Sequence, residues 1–128
     1  MSPALNVTFG LVWICVGLAL GAPMARAFFE PAWLGGYASL ERRLLRLAHV
    51  AFVALGLLNV TLGGALESGV VVAPSEALAC ASLVAGAFLM PLLLLASIRS
   101  RAVLWALPVP FLLVFAGTID LAIGRFVS

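Results

Sequence analysis

The sequence predicts an all-α protein, a polytopic membrane bundle of four transmembrane helices, and three observations carry that prediction. Hydrophobic residues fill 65% of the 128 positions and charged residues only 9%, where an ordinary soluble domain has about a quarter charged. The apolar residues fall into four long runs with helix start or stop signals at their ends. The charges gather between those runs, and all seven basic residues are arginine. So little charge cannot cover a water-facing surface. Small arginine patches beside apolar runs read as membrane topology, not as a nucleic-acid surface. The length fits one domain over residues 1–128.

The first span is expected over residues 5–21. Ala25-Arg26-Ala27 has the small-x-small look of a signal-peptide cleavage site, but no basic residue precedes the apolar run. It therefore reads as a retained helix. Its apolar stretch, about 16 residues, would reach roughly 24 Å, and Pro23 should stop it. Gly17 and Gly21 form a small-xxx-small pair that lets a neighbouring helix come close. Residues 22–38 form the linker, where Phe28, Phe29, Trp33 and Tyr37 alternate with proline and glycine breaks. That pattern fits an interfacial segment, or a loop that tucks its rings against the bundle.

The second span, residues 40–65, opens at Ser39, a good N-cap, with Glu41 in the first turn where the helix dipole favours an acid. Arg42, Arg46 and His49 follow at i, i+4 and i+7. Gly56 and Gly63 continue the histidine's face at helical pitch, with Phe52 beside them. The only histidine thus heads a glycine-bearing stripe, against which another helix is expected. The third span, residues 75–98, starts near Pro74-Ser75-Glu76. Pro91 lies deep inside it and should kink it, freeing a carbonyl one turn earlier. The fourth, residues 102–123, has Pro108 and Pro110 near its start and Asp120 near its end.

Six arginines (26, 42, 43, 46, 99 and 101) lie around the first and third connections, and only Arg125 lies on the other side. The positive-inside rule then places those connections in the cytoplasm and both termini outside, in a bacterial-type inner membrane. Trp33, Tyr37 and Trp105 collect at the cytoplasmic interface. One internal similarity stands out. Gly56, Asn59 and Gly63 in the second span match Gly117, Asp120 and Gly124 in the fourth, both as Gly-x-x-(Asn/Asp)-x-x-x-Gly. A duplicated helical hairpin about an axis along the membrane normal would produce this pattern.

Chemistry is sparse. No phosphate-cradling loop, zinc-protease motif or nucleophile triad is visible, so no catalytic residues and no enzymatic activity are expected. Cys15 and Cys80 lie in separate apolar runs and read as small packing residues, with no metal site. His49 and Met90 sit at depths that agree within about 3 Å, so they are candidate ligands of a haem b. The competing reading gives His49 a carbonyl partner, such as the one Pro91 frees, and leaves Met90 to fill space. Asn59 and Asp120 are polar groups inside spans, at similar depth, and could form an ion or proton site. Asp120 could instead bond Asn6, Thr118 or Arg125. The expected function is a non-enzymatic accessory or assembly subunit of a larger membrane complex, such as a respiratory or other electron-transfer one. The expected partners are the lipid bilayer and other membrane subunits or further copies of the chain, with no nucleic acid. A small oligomeric transporter or channel, and a b-type haem protein, are the alternatives.

Overall fold

The computed structural model describes residues 1–127, except the side chains of Arg125 and Val127, and Ser128 lies outside the described residues. All the regular elements among them are helical: α1 (Pro3–Met24), α2 (Arg26–Phe29), a 3-10 turn at Trp33–Gly35, α3 (Leu40–Glu67), α4 (Glu76–Arg99), a 3-10 stretch at Arg101–Ala106 and α5 (Pro108–Val127). Four of the helical stretches are long and apolar enough to cross a membrane, so the chain is a multi-pass, all-α membrane protein. α1 packs along α3, α3 along α4, and α4 along α5, with a smaller contact between α1 and α4.

Several boundaries differ from the sequence expectation. α1 is 22 residues long and keeps Pro23 inside its last turn, which gives it about 33 Å rather than about 24 Å. Proline's fixed φ suits a helix, and so near the C-terminus it forfeits a single bond. The fourth span does not begin as α-helix at residue 102. Residues 101–106 coil as 3-10, and the α-helix begins at Pro108. Pro108 and Pro110 then occupy first-turn positions, where missing N–H groups are orphans in any case. Ser39 caps α3 as its type predicts, accepting from Arg42 N at 3.2 Å.

Close backbone approach organises the pairing of α1 with α3. A Cβ on Gly56 would lie 2.8 Å from the Gly10 carbonyl oxygen, and one on Gly63 would lie 2.9 Å from Pro3 O. On α1, a Cβ on Gly17 would lie 2.9 Å from Phe52 Cβ. None of these positions tolerates a side chain without a shift. Small residues are what permit helices to approach so closely in lipid, where apolar contact alone gives little net force between them. Gly17 behaves as expected, while Gly21 faces the His49 ring at ordinary contact distance.

The approach brings Asn6 to Asn59, both with no exposed surface. Asn6 Nδ2 donates to Asn59 Oδ1 at 3.0 Å and to Cys80 O at 3.2 Å, and Asn59 Nδ2 donates to Leu55 O at 2.9 Å and Leu83 O at 3.4 Å. One polar node therefore ties α1, α3 and α4 together. A second tie comes from Pro91. Its ring cannot donate to Ala87 O, and Trp13 Nε1 donates there instead, at 2.8 Å. The freed carbonyl is thus taken by α1's indole, not by His49 as one expectation had it. Trp13 also stacks between Phe9 and Phe88, with ring centroids 4.7 and 5.3 Å away.

The Gly-x-x-(Asn/Asp)-x-x-x-Gly correspondence extends to the partner helices. Gly56 meets Gly10 O and Ile14, and Gly117 meets Ala79 O and Leu83; Gly63 meets Pro3 O, and Gly124 meets Val72 O. Gly17 abuts Val53 as Gly86 abuts Val114. Asn59 bonds Asn6, and Asp120 Oδ2 accepts from Ser75 N at 3.2 Å. One constant offset relates α1 to α4 in all these pairs, and another relates α3 to α5. The hairpins α1–α3 and α4–α5 therefore share one packing register.

The asparagine node carries a quantitative expectation. Asn6→Ala and Asn59→Ala should each lower stability in detergent by about 1–2 kcal/mol, with a coupling of roughly 0.6–1.7 kcal/mol in a double-mutant cycle. A coupling of zero would mean that the two amides do not bond in the folded protein.

Candidate functional site

A cavity of about 420 Å³ opens between the C-terminal end of α1, the linker and the first turns of α3. Arg42, Arg46 and His49 line it, as their i, i+4, i+7 spacing allows, together with Leu45 on the same helix and Gly21 and Met24 on α1. From the linker come Phe28, Trp33 and Tyr37. No acidic residue is among its lining residues. The walls are chiefly apolar, and the polar groups are two guanidinium groups and one imidazole.

Each polar group is held in place. Arg42 is only 6% exposed and donates to Pro31 O at 3.1 Å, Ala27 O at 3.1 Å and Glu30 O at 3.3 Å. Two of those carbonyls, Ala27 and Glu30, belong to the end of the short helix α2, where a cation is favoured by the dipole. The arginine thus folds the linker over the cavity. Its Nε is buried without a partner among the described residues. Trp33 flanks the guanidinium, with its ring centroid 5.8 Å from Cζ. Arg46 stacks over Tyr37 at 4.7 Å and donates to Tyr37 O at 3.4 Å. The Trp33–Gly35 turn uses Leu34 at φ 52°, beside Gly35 and Gly36, also at positive φ. That costs about 1 kcal/mol or more for a leucine, and Ser39 Oγ, bonded to Leu34 O, helps to fix the turn.

His49 Nδ1 lies 2.8 Å from Gly17 O. A carbonyl can only accept, so Nδ1 carries the proton and donates, and in the tautomer protonated there alone Nε2 is an acceptor. Met90 packs with Leu44, Ala48 and Leu94, where α3 meets α4, and does not line the cavity. The structure thus sets His49 towards α1 and Met90 towards a different face of α3.

Asn59 and Asp120 are not brought together either. Asn59 is committed to Asn6 and to carbonyls in the bundle interior. Asp120 accepts from the backbone of Ser75, the N-cap residue of α4, where helix polarity favours a carboxylate. It reaches neither Asn6 nor Thr118, whose hydroxyl bonds Val114 O and Phe115 O, and the Arg125 side chain lies outside the described residues.

Sequence reasoning offered Asn6 to Asp120 and missed its pairing with Asn59, and it missed Trp13 and the role of Arg42. Asn6 had a signal, being an amide in an apolar run just as Asn59 is. The partners of Trp13 and Arg42 are backbone carbonyls, which every residue possesses and no sequence pattern marks. In comparisons with known proteins, no family model, no curated protein and no solved structure matches this chain.

Proposed function

We propose that the protein is a non-enzymatic accessory or assembly subunit of a larger membrane complex, with respiratory and other electron-transfer assemblies the class to test first. The observation that carries this reading is the use of the intramembrane polar groups. Asn6, Asn59, Trp13 and Asp120 all bond within the bundle, to each other or to backbone, and so serve helix association rather than a conducting path. The four long helices take up most of the described residues, and the connections between them are short. Extracted from native membranes in a mild detergent, the protein should migrate in an assembly several times its 13.3 kDa mass, with other subunits present. Migration as a monomer, together with a cation or proton flux in proteoliposomes that Asp120→Asn abolishes, would replace this reading with the transporter one.

The orientation belongs to the same proposal: a bacterial-type inner membrane, both termini outside, and the arginine-rich connections in the cytoplasm. Arg26, the α3 start with Arg42, Arg43 and Arg46, and the turn with Arg99 and Arg101 share one end of the antiparallel bundle. Phe28, Phe29, Tyr37 and Trp105 are exposed at that end, as an interfacial aromatic belt would be. An impermeant thiol reagent added outside should label a cysteine placed at Ser128 and miss one placed at Ser100. The opposite pattern would invert the topology.

One observation favours a second reading, a b-type haem protein. A metal-binding histidine usually donates its other ring nitrogen to a carbonyl, and His49 does so towards Gly17 O, with its ring lining the cavity. Haem held through His49 should give a Soret band that His49→Ala removes, and that Met90→Leu leaves in place unless Met90 is the second ligand. A colourless preparation from haem-replete cells would dismiss it.

A further inference from the structure

The two hairpins offer an internal control on the cavity. At the positions that correspond to Arg42, Arg46 and His49, the second hairpin has Val103, Leu107 and Pro110, and at the position of Gly21 it has Met90. Its connection, residues 100–107, is also shorter than residues 25–39 of the first. The second hairpin reaches the same helix register without the arginines, the imidazole or the long linker. Packing the hairpin therefore does not demand them. What the first hairpin adds is a cavity with chiefly apolar walls, two guanidinium groups and an imidazole, and no acidic lining residue.

The polar groups are spaced along α3. Arg46 lies one turn deeper than Arg42, and His49 about 10 Å deeper than Arg42, at 1.5 Å per residue. A ligand matching this order has an anionic group at the arginines, a hydroxyl donor for His49 Nε2 roughly one turn below Arg46, and an apolar body against Gly21, Met24 and Leu45. Arg42 supplies fixed positive charge at the anionic end: it lines the cavity and is nine-tenths buried, with its terminal guanidinium nitrogens bonded to the linker carbonyls. Arg46, tethered by Tyr37, offers a preoriented guanidinium of the kind that suits phosphate oxygens. Phe28 and Tyr37, 88% and 75% exposed, border the cavity on the linker side.

We propose that the cavity binds a phosphate-bearing, single-chain amphiphile, with its phosphate on Arg46 beside the fixed charge of Arg42 and its glycerol-level hydroxyl donated to His49 Nε2. The volume, about 420 Å³, admits a headgroup and the first part of one chain. The site is assembled by this chain alone, so it does not depend on the accessory-subunit reading, and purified protein suffices to test it.

The test uses the full chain in detergent, with binding followed by calorimetry. The probes are lysophosphatidic acid, lysophosphatidylcholine with the same acyl chain, and inorganic phosphate. Lysophosphatidic acid should bind at least about ten-fold more tightly than the zwitterion, since only the former presents a bare phosphate to the arginines. Inorganic phosphate at millimolar concentration should not compete. Arg46→Gln should weaken lysophosphatidic acid about ten-fold and His49→Leu several-fold, and Gly21→Leu, which fills space along the apolar wall, should abolish binding. Arg42 is left intact because it holds the linker. Equal affinity for the two lipids, or competition by inorganic phosphate, overturns the proposal. So does unchanged binding in the three variants. If a variant fails to fold, the comparison of the three probes on the unaltered protein decides alone, and a haem found in the cavity overturns the lipid assignment.

Discussion

The distance between α1 and α3 is the constraint on which the rest of this bundle depends. Inside a bilayer the lipid chains are as apolar as leucine, so burying leucine between helices provides little net drive. What remains is close packing and the pairing of polar groups. Gly10, Gly56 and Gly63 remove the side chains that would hold the two backbones apart, and Asn6 and Asn59 then meet at hydrogen-bonding distance. The same approach lets Asn6 reach Cys80 O on α4 and Trp13 reach Ala87 O. A wider separation would lose the glycine contacts and leave two amides and an indole unsatisfied in hydrocarbon, where each costs several kcal/mol of order of magnitude.

Pro91 shows how a defect becomes a joint. A proline in mid-helix deprives the carbonyl four residues before it of a partner, which is expensive in a membrane. Here that carbonyl, Ala87 O, accepts the Trp13 indole, so the defect in α4 fixes the rotation of α1. Asp120 acts comparably at the other end of the molecule. A carboxylate in an apolar helix invites an ion-pathway reading, yet it is spent on the backbone amide that opens α4. In both cases a side chain of one helix satisfies a backbone group at another: the Trp13 indole at Ala87 O, and the Asp120 carboxylate at Ser75 N.

The shared register of the two hairpins separates what builds the bundle from what is added to it. Paired glycines and a polar contact near one end recur in both halves, and these are scaffold. Arg42, Arg46, His49 and the longer linker have no counterpart in the second half. Arg42 gathers carbonyls of Ala27, Glu30 and Pro31, turning an irregular segment into a wall that leaves the space beside His49 open. The cavity thus arises where the first hairpin departs from the shared pattern.

The sequence by itself determined the class: four apolar helices, their approximate spans, the gathering of arginines at one end, and the glycine stripe headed by His49. These are legible because they follow from composition and helical periodicity, which are local. It also marked Asn59 as a costly intramembrane amide and the carbonyl before Pro91 as one in need of a donor. Only the tertiary structure decided the partners. Asn59 meets Asn6 and not Asp120, Ala87 O meets Trp13 and not His49, and His49 turns to Gly17 O while Met90, on α4, packs against Leu44 and Ala48 of α3. The physical reason is that the rotation and register of one helix on another come from many close contacts at once, with glycine backbones setting the spacing. Backbone carbonyls, the acceptors in most of these bonds, are identical at every residue and leave no mark in the sequence.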